Sequence, residues 1–403
     1  MAFRAAISII VLALLSPYLY ERWQTAALFW KNAPHRLVRV NTFASHEVRF
    51  ADRIRSCEDA ILVESVGFAI LGCDPGRERW NTVMGIFLPE PVENAKLYIF
   101  DYKNTGASDD EALKQLDFVG FESQSDFHTL GLAYDEPTST LFVANHRHDH
   151  PAIEIFKLDL EAYTATHLRT IQHPLIHAPN SIALINEHEF YVTNDHRFPI
   201  RFHPLLSQLE TNLGLPGGSV VHVDVAPALA DPVAPAHATV VVPYFSFANG
   251  IELLNATTAA IASTSRASVH FFTITRSEAT AAPRFTHASE FRVPFAPDNL
   301  SVSKDGALLV AGHPHVPSLA KFAKTRHVCN SPEELARADA VVQETCATLA
   351  APSWAARWTQ EGGVENLYVD TEYPNSATAT RDSDRKIGII SGLYAKGILV
   401  WRE

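Results

Sequence analysis

The sequence has no Gly-x-Ser-x-Gly, so it lacks the strained elbow that presents the nucleophile of a serine hydrolase. It has no Cys-x-x-Cys, which argues against a four-cysteine zinc site. No basic run or aromatic-basic stripe occurs, and the net charge is -12 at pH 7, which argues against a nucleic-acid partner. Charged residues make up only 19% of the chain against 47% hydrophobic, enough to bury a sizeable core in 403 residues. Helical periodicity is nearly absent beyond residue 40. The apolar run Ala5–Leu15, preceded by Arg4 and followed by Ser16-Pro17, has no small-x-small cleavage pair behind it. It is shorter than the ~20 residues of a full membrane span. Residues 1–22 therefore read as a signal peptide or as an uncleaved signal anchor. Both imply the secretory route, with either a secreted product or membrane association through this segment.

Only four cysteines occur: Cys57, Cys73, Cys329 and Cys346. An even count in a secreted chain suggests two disulfides, with three connectivities open. The sequence-local pairs Cys57–Cys73 and Cys329–Cys346 are the expectation.

Strand signals fill the rest. Runs such as "AILVES", "KLYIFDY", "IEIFKLDL", "SVHFFTIT" and "GILVWRE" are β-branched or aromatic and bounded by turn residues. "STLFVANH", "HEFYVTNDH" and "GALLVAGHPH" each read turn, apolar strand, then Asn or Gly and His. Self-similarity at roughly fifty residues suggests propeller blades, six of them between residues 40 and 403. The expected fold is all-β, a six-bladed β-propeller with an N-terminal hydrophobic helix and a short helical insertion near 331–350, within an insertion spanning 323–352. Ser331 followed by Glu334 opens that helix as a capping box. In a propeller the innermost strands line one channel, so distant residues converge.

Four stretches put oxygen-bearing side chains beside apolar strands: Glu58 and Asp59, Asn180, Asn249, and Asp298 with Asn299. Buried carboxylates and amides are costly unless paired. Together they are hard oxygen donors that suit calcium rather than zinc. Read singly, Asn-Gly and Asp-Asn are ordinary turn residues.

The phrases "CEDAILVESVGFAIL", "LFVANHRHDHPAIEIFKLDL", "NSIALINEHEFYVTNDH", "FSFANGIEL" and "PDNLSVSKDGALLVAGHP" occur in this order. They resemble the serum paraoxonase/arylesterase family. The resemblance covers residues 50 to 400 and implies a six-bladed propeller that hydrolyses lactones and aryl esters with calcium in its channel. It implies that Glu58, Asn180, Asn249, Asp298 and Asn299 hold the catalytic ion, with Asn180 also near the developing oxyanion. A second, buried ion would use Asp59 and the carbonyl of Leu132. Ser181 stands where the family has an aspartate, which weakens that set. The family's histidine dyad is matched at His146 but not at its other position, where Leu130 stands. His128 lies two residues earlier and, on a regular strand, would share that face; it is either a stand-in or a core-edge histidine. His313 is expected to line the mouth. The C-terminus has no cysteine, so closure would rest on strand pairing.

"HRHDH" (His146–His150) is one residue short of the His-x-His-x-Asp-His zinc motif of metallo-β-lactamases, and the alternating β-α pattern is missing. A non-catalytic calcium-binding propeller that serves as an interaction module is the alternative to a hydrolase. Asn299-Leu300-Ser301 and Asn255-Ala256-Thr257 are both formal glycosylation acceptors. Asn255 is the expected sugar site, because a ligand in a channel cannot hold a glycan.

Overall fold

The computed structural model describes residues 2–276 and 282–403; the side chains of residues 2–12 and 14 are outside that description. Among the described residues, six sheets of four or five strands stand around one axis as propeller blades, antiparallel throughout except that the edge strand Asp117–Val119 runs parallel to Thr164–Ile171. The first blade spans residues 57–115, the second 117–171, the third 179–245, the fourth 248–292, the fifth 296–370 and the sixth 376–402. The innermost strands are Cys57–Val63, Thr129–Asp135, Pro179–Leu184, Ala248–Asn255, Ala296–Val302 and Ser376–Asp382, each touching the next around the ring.

Blade strands are apolar on both faces because each blade is covered on both sides. In Thr140–Asn145, Leu141 and Val143 pack towards Leu97 and Ile99 of the first blade. The intervening Phe142 and Ala144 pack towards Phe190 and Val192 of the third.

The ring closes without a covalent link. Ser45–Arg49 adds a fourth strand to the last blade by pairing antiparallel with Ile398–Arg402, with Ser45 opposite Arg402. Phe43 stacks on buried Trp401 at 4.8 Å, 10° from parallel. Full burial of a side chain of this size stabilises by about 1.5–3 kcal/mol. Both expected disulfides are formed, Cys57–Cys73 and Cys329–Cys346.

The insertion between Leu308–His313 and Ser353–Thr359 is three helices rather than one. It begins at Val316, earlier than expected, because Pro317 occupies the first turn and the His315 ring caps it by accepting from the Ser318 amide. Ser331 caps Pro332–Arg337 as read from the sequence, but Asp339 starts a new helix, Ala340–Thr348. The Glu334 side chain does not complete the capping box; it pairs with Arg79.

The N-terminal helix runs unbroken from Ala2 to Lys31, with Pro17 inside it. Its second half docks on the propeller. The Tyr18 hydroxyl donates to the Leu213 carbonyl at 2.7 Å, and Arg22 Nη1 to the Ser265 carbonyl at 2.8 Å. No helix among the described residues is long and apolar enough to cross a membrane.

Candidate active site at the propeller axis

Every innermost strand shifts register near the same end. The breaks fall between Cys57 and Asp59, Thr129 and Leu132, Pro179 and Ile182, Ala248 and Ile251, Pro297 and Leu300, and Ser376 and Thr378. A bulge re-aims the extra side chain and bends the strand. The residues inside these breaks include Glu58, Asn180, Asn249, Asp298 and Asn299, so all five expected ligands sit on bulges.

Two glycines make the close approach feasible. A Cβ on Gly250 would lie 2.7 Å from both the Asp298 carbonyl oxygen and the Leu300 nitrogen; one on Gly131 would lie 2.4 Å from the Asn180 carbonyl oxygen. Only a residue without a Cβ lets a neighbouring ligand strand come this near.

Glu58, Asn180, Asn249 and Asp298 line the floor of an axial cavity of about 480 Å³. Asn299 lies just beneath, where its Nδ2 donates to Glu58 Oε1 at 2.7 Å and to the Thr378 hydroxyl at 3.0 Å. Asn249 Nδ2 donates to Thr264 Oγ1, which donates to the Pro297 carbonyl, so its amide oxygen is left for the interior. Four buried acceptors here have no donor: Glu58 Oε2, Asn180 Oδ1, Asn249 Oδ1 and Asn299 Oδ1. Each such orphan costs about 1–3 kcal/mol. Burial holds the Glu58 carboxyl well above the usual carboxylate range, reinforced by Asp59 and then Asp298. Unpaired oxygens from four blades together with two carboxylates fit a calcium ion, which takes six to eight oxygens.

The second expected set does not fit. Asp59 Oδ1 accepts from the Ala60 amide at 2.8 Å and the Thr378 hydroxyl at 2.9 Å, and Oδ2 accepts from the Leu132 amide at 2.8 Å. Ser181 Oγ accepts from the Ile251 amide at 3.3 Å. No acceptor of Asp59 or Ser181 is left without a donor. The chain itself satisfies this pair, and the neutral serine adds no charge for a cation.

The histidines are placed differently from one another. His313 lines the cavity; its Nε2 lies 3.0 Å from Asp298 Oδ2, and its buried Nδ1 has no partner. His146 is buried but does not line the cavity. Its Nε2 donates to the Pro179 carbonyl at 2.6 Å and its Nδ1 accepts from the Thr82 hydroxyl. Burial depresses its basicity. His128 does not share a face with Leu130, contrary to the regular-strand expectation. Leu130 lines the cavity, whereas His128 turns to Asp74 at 3.4 Å. The strand begins only at Thr129 and bulges immediately, so the i, i+2 rule does not apply. Asn255 sits exposed at a hairpin tip, and Asn299 is buried, as a glycan site and a channel ligand respectively require.

Sequence reading missed Arg77. It stands on the 3-10 turn Pro75–Glu78, 3% exposed, in the cavity wall. One guanidinium nitrogen donates to the Thr129 carbonyl, and Nε has no partner. The turn carries no motif; its only signal is Asp-Pro-Gly directly after Cys73. The apolar mouth was missed as well. Ala26 and Phe29 of the N-terminal helix and Leu319 and Ala320 of the insertion lie above the polar floor.

Against known proteins, the arylesterase family model matches residues 84–348, well over half of the chain. The chain belongs to this family. Serum paraoxonase/arylesterase 1 of Mus musculus is 31% identical over 173 residues, 42% of this chain and 44% of that one. Serum paraoxonase/lactonase 3 of Oryctolagus cuniculus is 32% identical over 168 residues, 40% and 42% of the two chains. Serum paraoxonase/arylesterase 2 of Rattus norvegicus is 35% identical over 119 residues, 30% of each. The matched stretch thus spans less than half the length of these relatives.

Proposed function

We propose that this protein is a calcium-dependent hydrolase of aryl esters and lactones, working at the axial cavity and exported through the secretory route. The observation that carries the reading is the set of four buried oxygens without a donor, on Glu58, Asn180, Asn249 and Asn299, at the end of the channel that Asp298 also lines. Glu58, Asn180, Asn249, Asp298 and Asn299 would hold the ion. Calcium bound there would polarise the substrate carbonyl and offset the charge of the oxyanion.

The chain's own groups do the rest. Val83, Leu130, Leu319 and Leu393 give an apolar wall for an aromatic or acyl group above the polar floor. Arg77 presents a cation where negative charge develops, and the Asn180 amide adds a donor. His313 takes the proton of the attacking water on Nδ1, while Asp298 orients the ring through Nε2. His146, outside the cavity, positions Asn180 through the Pro179 carbonyl. This moves the general base from His146 and His128, the expectation from sequence, to His313. His128, turned away from the cavity, has no part in it.

A second reading, a non-catalytic calcium-binding module, is favoured by Leu130 at the missing histidine position and by His146 and His128 lying outside the cavity. Hydrolysis of phenyl acetate and of a δ-lactone, with and without a calcium chelator, separates the two. Activity that requires calcium supports the enzyme; calcium retained without turnover supports the module. Activity that survives complete chelation refutes the calcium mechanism.

A further inference from the structure

We infer that the chain carries a second metal site, outside the propeller axis, built from His128, His148 and Asp126 and suited to zinc. The ligand atoms of these three residues all lie within 4.8 Å of one another. His148 Nδ1 is 2.6 Å and His128 Nε2 is 3.9 Å from the same oxygen, Asp126 Oδ1. Bonds of about 2.0–2.1 Å to a tetrahedral ion place ligands between these separations.

The register of two strands brings the histidines together. Thr129 lies opposite Asn145, and the His146 amide donates to the His128 carbonyl at 2.8 Å. His128 therefore precedes one strand and His148 follows the other at the same end. One backbone group holds the carboxylate: the His148 amide is shared between both Asp126 oxygens, at 3.0 and 3.1 Å.

The outer contacts are those a metal-bound imidazole requires. Each ring has a carboxylate on the nitrogen facing away from Asp126: Asp74 Oδ1 at 3.4 Å from His128 Nδ1, and Glu90 Oε1 at 3.4 Å from His148 Nε2. A carboxylate in that position fixes the tautomer and frees the opposite nitrogen for metal. Trp80 stacks on His148, centroids 3.9 Å apart, and walls one side. His128 is 2% exposed, while Asp126 and His148 are partly open, so an ion can enter and a water can take the fourth position. Two imidazoles and one carboxylate differ in kind from the all-oxygen axial set, so the two sites select different ions. The "HRHDH" phrase thus supplies one zinc ligand, His148, though not within the motif it imitates.

The test is a zinc titration of the intact protein against a chromogenic zinc indicator, in saturating calcium so that the axial site is occupied. One equivalent should bind with submicromolar Kd. His148→Ala should weaken it at least 100-fold while leaving calcium binding unchanged. Asp74→Asn, which touches no ligand atom, should weaken it about tenfold and serves if His148→Ala fails to fold. Cobalt in place of zinc should give the visible absorption of a tetrahedral nitrogen-oxygen site in the wild type alone. Zinc binding that is equal in His148→Ala and the wild type, or that calcium displaces, overturns the proposal. So does a wild-type Kd above about 10 μM, which would be at most about 6.8 kcal/mol of binding. None of these outcomes depends on ester hydrolysis.

Discussion

Replacing Gly250 by alanine tests whether close approach of bulged strands builds the axial site. The added Cβ would sit 2.7 Å from two backbone atoms of the Asp298–Leu300 segment and 2.8 Å from the Asn299 Cα, against 3.4 Å for ordinary contact. None of these is a flexible side-chain end, so the segment must retreat by about 0.7 Å, a shift a close-packed interior does not absorb freely. Overpacking of this kind costs about 1–3 kcal/mol. For a chain this long the unfolding entropy is large, and that cost lowers Tm by roughly 1–4 °C. The larger effect falls on the site, since Asp298 and Asn299 are both proposed ligands. Misplacement approaching 1 Å costs on the order of 10²-fold in rate. Calcium affinity by titration calorimetry, Tm by scanning calorimetry and aryl-ester turnover should be measured together. We expect weaker calcium binding, a small fall in Tm and a hundredfold loss of turnover, partly recovered by excess calcium. Unchanged calcium affinity and turnover would show that Gly250 is not what brings the Asp298 strand into position.

Other perturbations follow from single contacts. Asp298→Ala removes one ligand and the carboxylate of His313, so calcium and activity should be lost together, by atomic absorption and ester assay; loss of folding alone would make the site structural. Arg77→Met should lower kcat about 10²–10³-fold with calcium binding intact, and Arg77→Lys should recover part of it. Because both oxygens of Asp59 already accept hydrogen bonds, from Ala60, Leu132 and Thr378, calcium titration should give one site per chain, not two. Burial raises the Asp305 carboxyl, but the Ser303 hydroxyl and Arg381 outweigh it and hold it at about 2. Its contribution is therefore present above its unfolded value of about 3.9 and lost as pH falls through the range down to about 2. Asp305→Asn should flatten that part of the acid-unfolding curve. Expression with glycosylation should modify Asn255, and Asn255→Gln should remove the sugar without loss of activity.

Much of the molecule was readable in order along the chain. The strands announce themselves because each blade is covered on both faces, leaving long apolar runs between turns. The local disulfides were readable because Cys57 and Cys73 flank one hairpin and stand opposite each other across it. The five proposed ligands were named through the family phrases, and all five side chains are buried. A neighbour three residues away on a helix or two away on a strand is a local matter that sequence expresses directly. What it does not express is where regularity fails. The bulge after Thr129 turned His128 out and Leu130 in, and no propensity of His or Leu forecasts that. Arg77 reached the cavity because a short turn happens to cross its wall, and the N-terminal helix became part of the mouth through contacts some 200 residues distant. Sequence alone determined the composition of the proposed site, hard oxygens on strand ends in a chain without Gly-x-Ser-x-Gly. Only closure of the ring decided which atoms face the axis without a partner, because that depends on six bulged strands meeting at one level.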